Sequence, residues 1–97
     1  MADISIVDGT NGGEFSARDY RVERGQVVNF INETIRPQLL VTDADTSFVL
    51  SPKGLPGAVK TYAIQPDASS IALRLPRVAS SLAVATISVY QRGDDLG

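Results

Sequence analysis

Asp43 and Asp45 are a pair of carboxylates two residues apart. On a strand, alternation would put both on one face, and acid–base chemistry asks for two carboxylates, or one with a shifted pKa in a pocket. Asp43-Ala44-Asp45-Thr46-Ser47 also has the spacing of oxygen ligands at the start of a calcium loop. The match ends there, with Phe48 where such a loop requires glycine and Gly54 where it requires a bidentate glutamate. The segment reads as an exposed polar connection. Nucleophilic catalysis without histidine needs a Ser–Lys pair. The two lysines, Lys53 and Lys60, lie beside turn or strand-edge sequence, and no Ser-x-x-Lys occurs. Gly9-Thr10-Asn11-Gly12-Gly13 is glycine-rich, but neither a helix nor a lysine follows to complete a phosphate cradle. It reads as a long hairpin loop, and the chain is not expected to be an enzyme.

Binding chemistry is sparser still. Tyr20 lies between Arg18 and Arg21, as a nucleic-acid surface would want, but Asp19 and Glu23 interleave and cancel the charge. Arg36 and Arg77 each touch a proline at the end of an expected strand, and Arg74 stands shortly before Arg77. Loops meeting at one end of a β-fold would gather these three arginines into a small anion-receptive patch. Asn32-Glu33-Thr34 matches a glycosylation sequon, which has no use without secretion.

The chain that must position these groups has 97 residues, 43% of them hydrophobic and 21% charged, with a net charge of −2. That fits one domain over residues 1–97, ending in a polar tail over 91–97. A domain of this size buries roughly 65% of its unfolded surface, enough for one core. There is no cysteine and no histidine. This removes disulfides, zinc-finger and haem ligation, cysteine nucleophiles and every histidine-dependent triad. Neither the charge nor the hydropathy suits a nucleic-acid or membrane partner, and no cofactor is expected. Met1-Ala2-Asp3-Ile4-Ser5 opens without a signal-peptide pattern, so the expected compartment is the cytoplasm.

The residue types favour strands, with Val, Ile and Thr totalling 23 and apolar positions alternating. Ile4 and Ile6 open a first strand that stops at Asp8-Gly9, and Phe15 is an isolated anchor in a polar stretch. Tyr20, Val22 and Arg24 share one face of a second strand, and Arg24-Gly25 reads as a tight hairpin turn. Val27–Ile31 is apolar on both sides of the pleat, which predicts a central strand. Asn32–Pro37 is a loop, because Pro37 pushes Arg36 out of helical geometry. Short strands follow at 39–41 and 48–50. Pro56-Gly57 suits the middle of a type II turn. Further strands are expected over 59–64 and 71–75, and residues 76–82 are a loop or one helical turn. The stretch 83–90 carries no charge and must be paired on both sides, or it would be an aggregation hazard. Seven to eight short strands at such spacing predict an all-β fold, a Greek-key β-sandwich or barrel with an immunoglobulin-like pattern of strands.

The stretch Tyr20–Asn32 resembles the cupredoxin pattern of a strand, a glycine turn and a strand ending in asparagine. Leu55-Pro56-Gly57 with Val59-Lys60-Thr61-Tyr62 looks like that family's Pro-Gly turn and following strand, and Ala85–Val89 is similar to its final strand. The resemblance implies a cupredoxin-like sandwich. Cupredoxins hold copper with two histidines, a cysteine and usually a methionine. The first histidine would fall near Gln38 and the others between about Leu75 and Ala85, yet this chain has none of these ligands, its one methionine being Met1. Type 1 copper and electron transfer are excluded, and what remains is architecture. The expected function is a non-enzymatic binding or protein-interaction module that uses loops at one end, with Arg36, Gln38, Arg74 and Arg77 as candidate contacts. The alternative is a self-assembling structural subunit of a particle, tail or shell. In either case the expected partner is a protein or a second copy of the chain.

Overall fold

A computed structural model of the chain describes residues 2–9, 12–43, 46–78 and 83–91. These form β1 (Ala2–Gly9), β2 (Gly12–Phe15), β3 (Asp19–Glu23), β4 (Val27–Asn32), β5 (Gln38–Thr42), β6 (Ser47–Leu50), β7 (Val59–Ala63), β8 (Ser70–Arg74) and β9 (Val84–Tyr90). Two sheets result. One has four strands in the order β2-β1-β4-β7, the other five in the order β3-β9-β8-β5-β6. Two neighbouring pairs run parallel, β1 with β4 and β3 with β9, and the rest are antiparallel. The fold is the expected all-β sandwich. No described helix is long and apolar enough to cross a membrane.

The alternation read from the sequence decides which side chains meet between the sheets. In β4, Val28, Phe30 and Asn32 are buried while Val27, Asn29 and Ile31 are half-buried on the outer face. In β8, Ile71 and Leu73 face inward and Ala72 and Arg74 outward. Ile4, Ile6, Val22, Leu40 and Ile87 complete the centre. Phe30 anchors an aromatic cluster, with ring centroids 5.2 Å from Phe48 and 5.9 Å from Tyr62, separations at which aromatic pairs attract beyond their burial.

β4 is central, between β1 and β7, and β9 is paired on both sides, by β3 and β8. The Pro56-Gly57 turn also forms: the Ala58 amide donates to Leu55 O at 3.2 Å and Gly57 has φ of 91°. Two expectations are corrected. The described residues form nine strands rather than seven or eight, because Gly12–Phe15 pairs with β1 and places Phe15 opposite Ile6. Phe15 is thus a core residue delivered by a short edge strand. The Arg24-Gly25 turn exists, with Gln26 N donating to Glu23 O and φ of 91° at Gly25, but it closes no hairpin. It carries the chain from β3 in one sheet to β4 in the other. The dihedrals were encoded locally, while the sheet that the next strand joins was set by packing. Asp45, most of the 76–82 segment and the tail beyond Gln91 lie outside the described residues.

Candidate functional site

The site begins with a polar residue at a core-facing position. Alternation along β4 turns Asn32 inward after Val28 and Phe30, and its side chain is only 1% exposed. A buried carboxamide must find partners. Its Nδ2 donates to Arg36 O at 2.7 Å and Ser51 O at 3.0 Å, with Leu50 O at 3.4 Å. Its Oδ1 accepts the Thr34 amide at 2.9 Å and the Thr34 hydroxyl at 2.7 Å. Backbone bonds extend the tie: Asn32 N donates to Ala58 O, Glu33 N to Ile6 O and Lys53 N to Thr34 O, each at 2.8 Å. The 33–37 loop is therefore fixed to β1, to the end of β6 and to the entry of β7.

Those carbonyls also settle the hydrogen positions beyond Asn32. Carbonyls around Nδ2 fix the orientation of the Asn32 amide, so Oδ1 is an acceptor. The single Thr34 hydroxyl hydrogen serves Oδ1 or Arg36 O, the latter at 2.9 Å. Thr34 Oγ1 is left to accept, and Gln38 Nε2 donates to it at 3.1 Å. Thr34 is fully buried and Gln38 is 8% exposed at the start of β5. The outward consequence is a rigid loop with an apolar tip. Ile35 is 80% exposed, and Arg36 and Pro37 are exposed beside it.

Between this loop and the β1–β2 hairpin lies a cleft of about 300 Å³, lined by Asp8, Gly12, Gly13, Ile35, Arg36 and Gln38. The hairpin approaches closely because Gly13 has no side chain. A Cβ there would sit 2.7–2.8 Å from the Gln38 carboxamide atoms. Asp8 and Arg36 put opposite charges on the cleft and supply no nucleophile–base pair.

Of the residues singled out from sequence, Arg36 and Gln38 are brought together in this cleft. Arg77 is exposed in a turn closed by Val78 N donating to Leu75 O at 3.0 Å. Val78 lies 3.7 Å from where a Cβ on Gly12 would be, so this turn reaches the same end of the sandwich. Arg74 lines a different concavity of about 380 Å³ on the outer face of the five-stranded sheet, where Ala72 and Thr86 leave a hollow. Asp43 is exposed at the margin of that hollow. Sequence reasoning missed Asn32 and Thr34 as the frame, and Ile35 and Asp8 as cleft residues. A usable signal existed: Asn32 continues the inward parity of Val28 and Phe30, and a polar residue at such a position must bind backbone.

No protein-family model matches the sequence, and no curated protein sequence does. Solved structures do match the fold. A novel purple cupredoxin from Nitrosopumilus maritimus superposes with a TM-score of 0.66 at 16% identity, over 93% of this chain and 100% of that one. An oxidized mutant of amicyanin gives 0.61 at 11% identity, over 92% and 81%. Copper nitrite reductase from Nitrosomonas europaea gives 0.53 at 14% identity, over 97% of this chain and 42% of that one. The likeness shows a cupredoxin-like fold, and at these identities the fold alone. Copper of the cupredoxin type does not fit the residues present. The chain has no thiolate or imidazole, the described residues contain no group of three acidic side chains that could hold a metal, and the Gln38 position carries a neutral amide engaged with Thr34.

Proposed function

We propose that this domain is a non-enzymatic protein-recognition module that contacts its partner through the 33–37 loop and the adjoining cleft. The observation that carries the reading is Ile35, 80% exposed on a backbone held by buried and part-buried hydrogen bonds. A large apolar side chain on a fixed loop is pre-organised: docking against it removes apolar surface from water without the cost of ordering the loop. Sandwich folds commonly place recognition on such end loops. We keep the cytoplasm as its working compartment, where a chain without cysteine loses no disulfide stabilisation.

The test is site-specific photo-crosslinking in cells, with benzoylphenylalanine in place of Ile35 and, as a control, of Arg74. A discrete adduct from position 35 that is absent from position 74 supports the reading. No adduct at 35, or the same adduct from both positions, overturns it. A second reading, a self-assembling structural subunit of a particle, tail or shell, is favoured by Val49 and Val84, both more than half exposed on the outer face of the five-stranded sheet. Size-exclusion chromatography with light scattering separates the two, since a closed ring or filament selects the subunit and a concentration-independent monomer rejects it.

A further inference from the structure

The hydrogen-bond chain that starts at Asn32 does not close. Gln38 Nε2 spends one hydrogen on Thr34 Oγ1. Its second hydrogen and Oε1 have no partner among the described residues, and Gln38 lines the cleft although its side chain is more than nine-tenths buried. A carboxamide held this way, with one donor and one acceptor still to satisfy, is complementary to another amide. No fully buried polar side-chain atom in the described residues lacks a partner, so the open Gln38 atoms are ones that solvent or a ligand can reach.

The rest of the cleft narrows the choice. Gly12 and Gly13 form one wall, and the Gln38 carboxamide packs directly against Gly13, which holds it at the cleft surface. Ile35 offers apolar contact at the lip, of little use to a small polar solute. Arg36 can take a carboxylate in two parallel hydrogen bonds, while Asp8 disfavours a second carboxylate. A free inorganic anion would satisfy Arg36 alone, gain nothing from Ile35 and meet Asp8 nearby.

We propose that this cleft takes an acidic peptide segment, with one backbone amide paired to the Gln38 carboxamide and a neighbouring carboxylate on Arg36. The assignment rests on the recognition-module reading and specifies its partner. The amide pair fixes the register of the segment, the carboxylate fixes its direction, and Ile35 covers an apolar side chain beside it.

The test is selection of a phage-displayed random 12-residue library on the intact protein, followed by titration of selected synthetic peptides into ¹⁵N-labelled protein. Selected sequences are expected to carry Asp or Glu, and to shift the Gln38 side-chain amide and the Gly13 backbone amide. Gln38→Leu and Arg36→Glu should each weaken binding at least tenfold, and Arg74→Glu should leave it unchanged. Arg36 is exposed, so Arg36→Glu keeps the test decisive if Gln38→Leu does not fold. Selection without acidic residues, or binding indifferent to Arg36→Glu, overturns the assignment. Failure of the peptides while the position-35 adduct persists removes the peptide cleft and leaves the module reading standing. Loss of both removes both.

Discussion

Replacing Asn32 with alanine tests whether one buried carboxamide holds the loop end together. The change removes the partner of the Thr34 amide, which is buried, and of Ser51 O, which is part-buried. Arg36 O keeps the Thr34 hydroxyl at 2.9 Å. A buried polar group left without a partner costs about 1–3 kcal/mol. One full loss and one partly relieved by water give roughly 3 kcal/mol. Against the roughly 5–15 kcal/mol that stabilises a domain of this kind, that is a large fraction. With a urea slope of about 1 kcal/mol per molar, expected for a small domain, the unfolding midpoint should fall by about 3 M. Hydrogen exchange supplies an independent readout, because the Thr34 and Lys53 amides should lose protection before the core strands do. Ile35→Ser is the control: the side chain is exposed, so its stability change should stay within about 0.5 kcal/mol. A midpoint drop of under about 0.5 M for Asn32→Ala, with those amides still protected, would refute the claim that this network fixes the loop.

Three further outcomes follow from the packing. Gly13→Ala should cost about 1–3 kcal/mol in chemical denaturation, because a Cβ at 2.7–2.8 Å forces the Gln38 carboxamide to move; an unchanged Gln38 side-chain signal in an NMR spectrum would contradict this. At Gly25 a Cβ would meet nothing within 4 Å, so Gly25→Ala should cost only the backbone price of positive φ, about 1–2 kcal/mol, with Gly25→Asn costing less by thermal melting. Phe30→Ala, at the hub of the aromatic cluster, should cost about 3–5 kcal/mol and leave the domain largely unfolded on warming, as followed by circular dichroism.

The parts of this fold that are written in local sequence were legible. Alternation in 71–75 and 83–90 shows which side chains face the core, and the uncharged run 83–90 demands two neighbours, which β3 and β8 supply. Pro56-Gly57 carries its turn in its own dihedral preferences. What was not legible depends on distant partners. Gly12-Gly13-Glu14-Phe15 has the composition of a loop and becomes a strand only because β1 lies beside it. Arg24-Gly25 bends the chain as expected, but nothing nearby says that the next strand crosses to the other sheet. The site divides in the same way. Arg36 and Gln38 stood out as loop-end residues and do share a cleft. That Arg74 lines another concavity follows from its outward parity in β8, and the hairpin wall with Asp8 comes from a pairing that turn chemistry alone did not specify.

The parallel pairing of β3 with β9 has a consequence for how the molecule comes into being. Asp19 lies opposite Thr86 and Glu23 opposite Tyr90, so the interior of the five-stranded sheet is filled by β9, the last of the described strands in chain order. While a ribosome is still making the chain, β3 and β8 have no strand between them, and both expose open edges until residues 84–90 emerge. Contacts between segments so far apart in sequence slow folding, and open edges in the waiting state invite pairing with other chains. The segment that makes the finished sheet safest is therefore the one whose late arrival leaves the nascent chain most exposed.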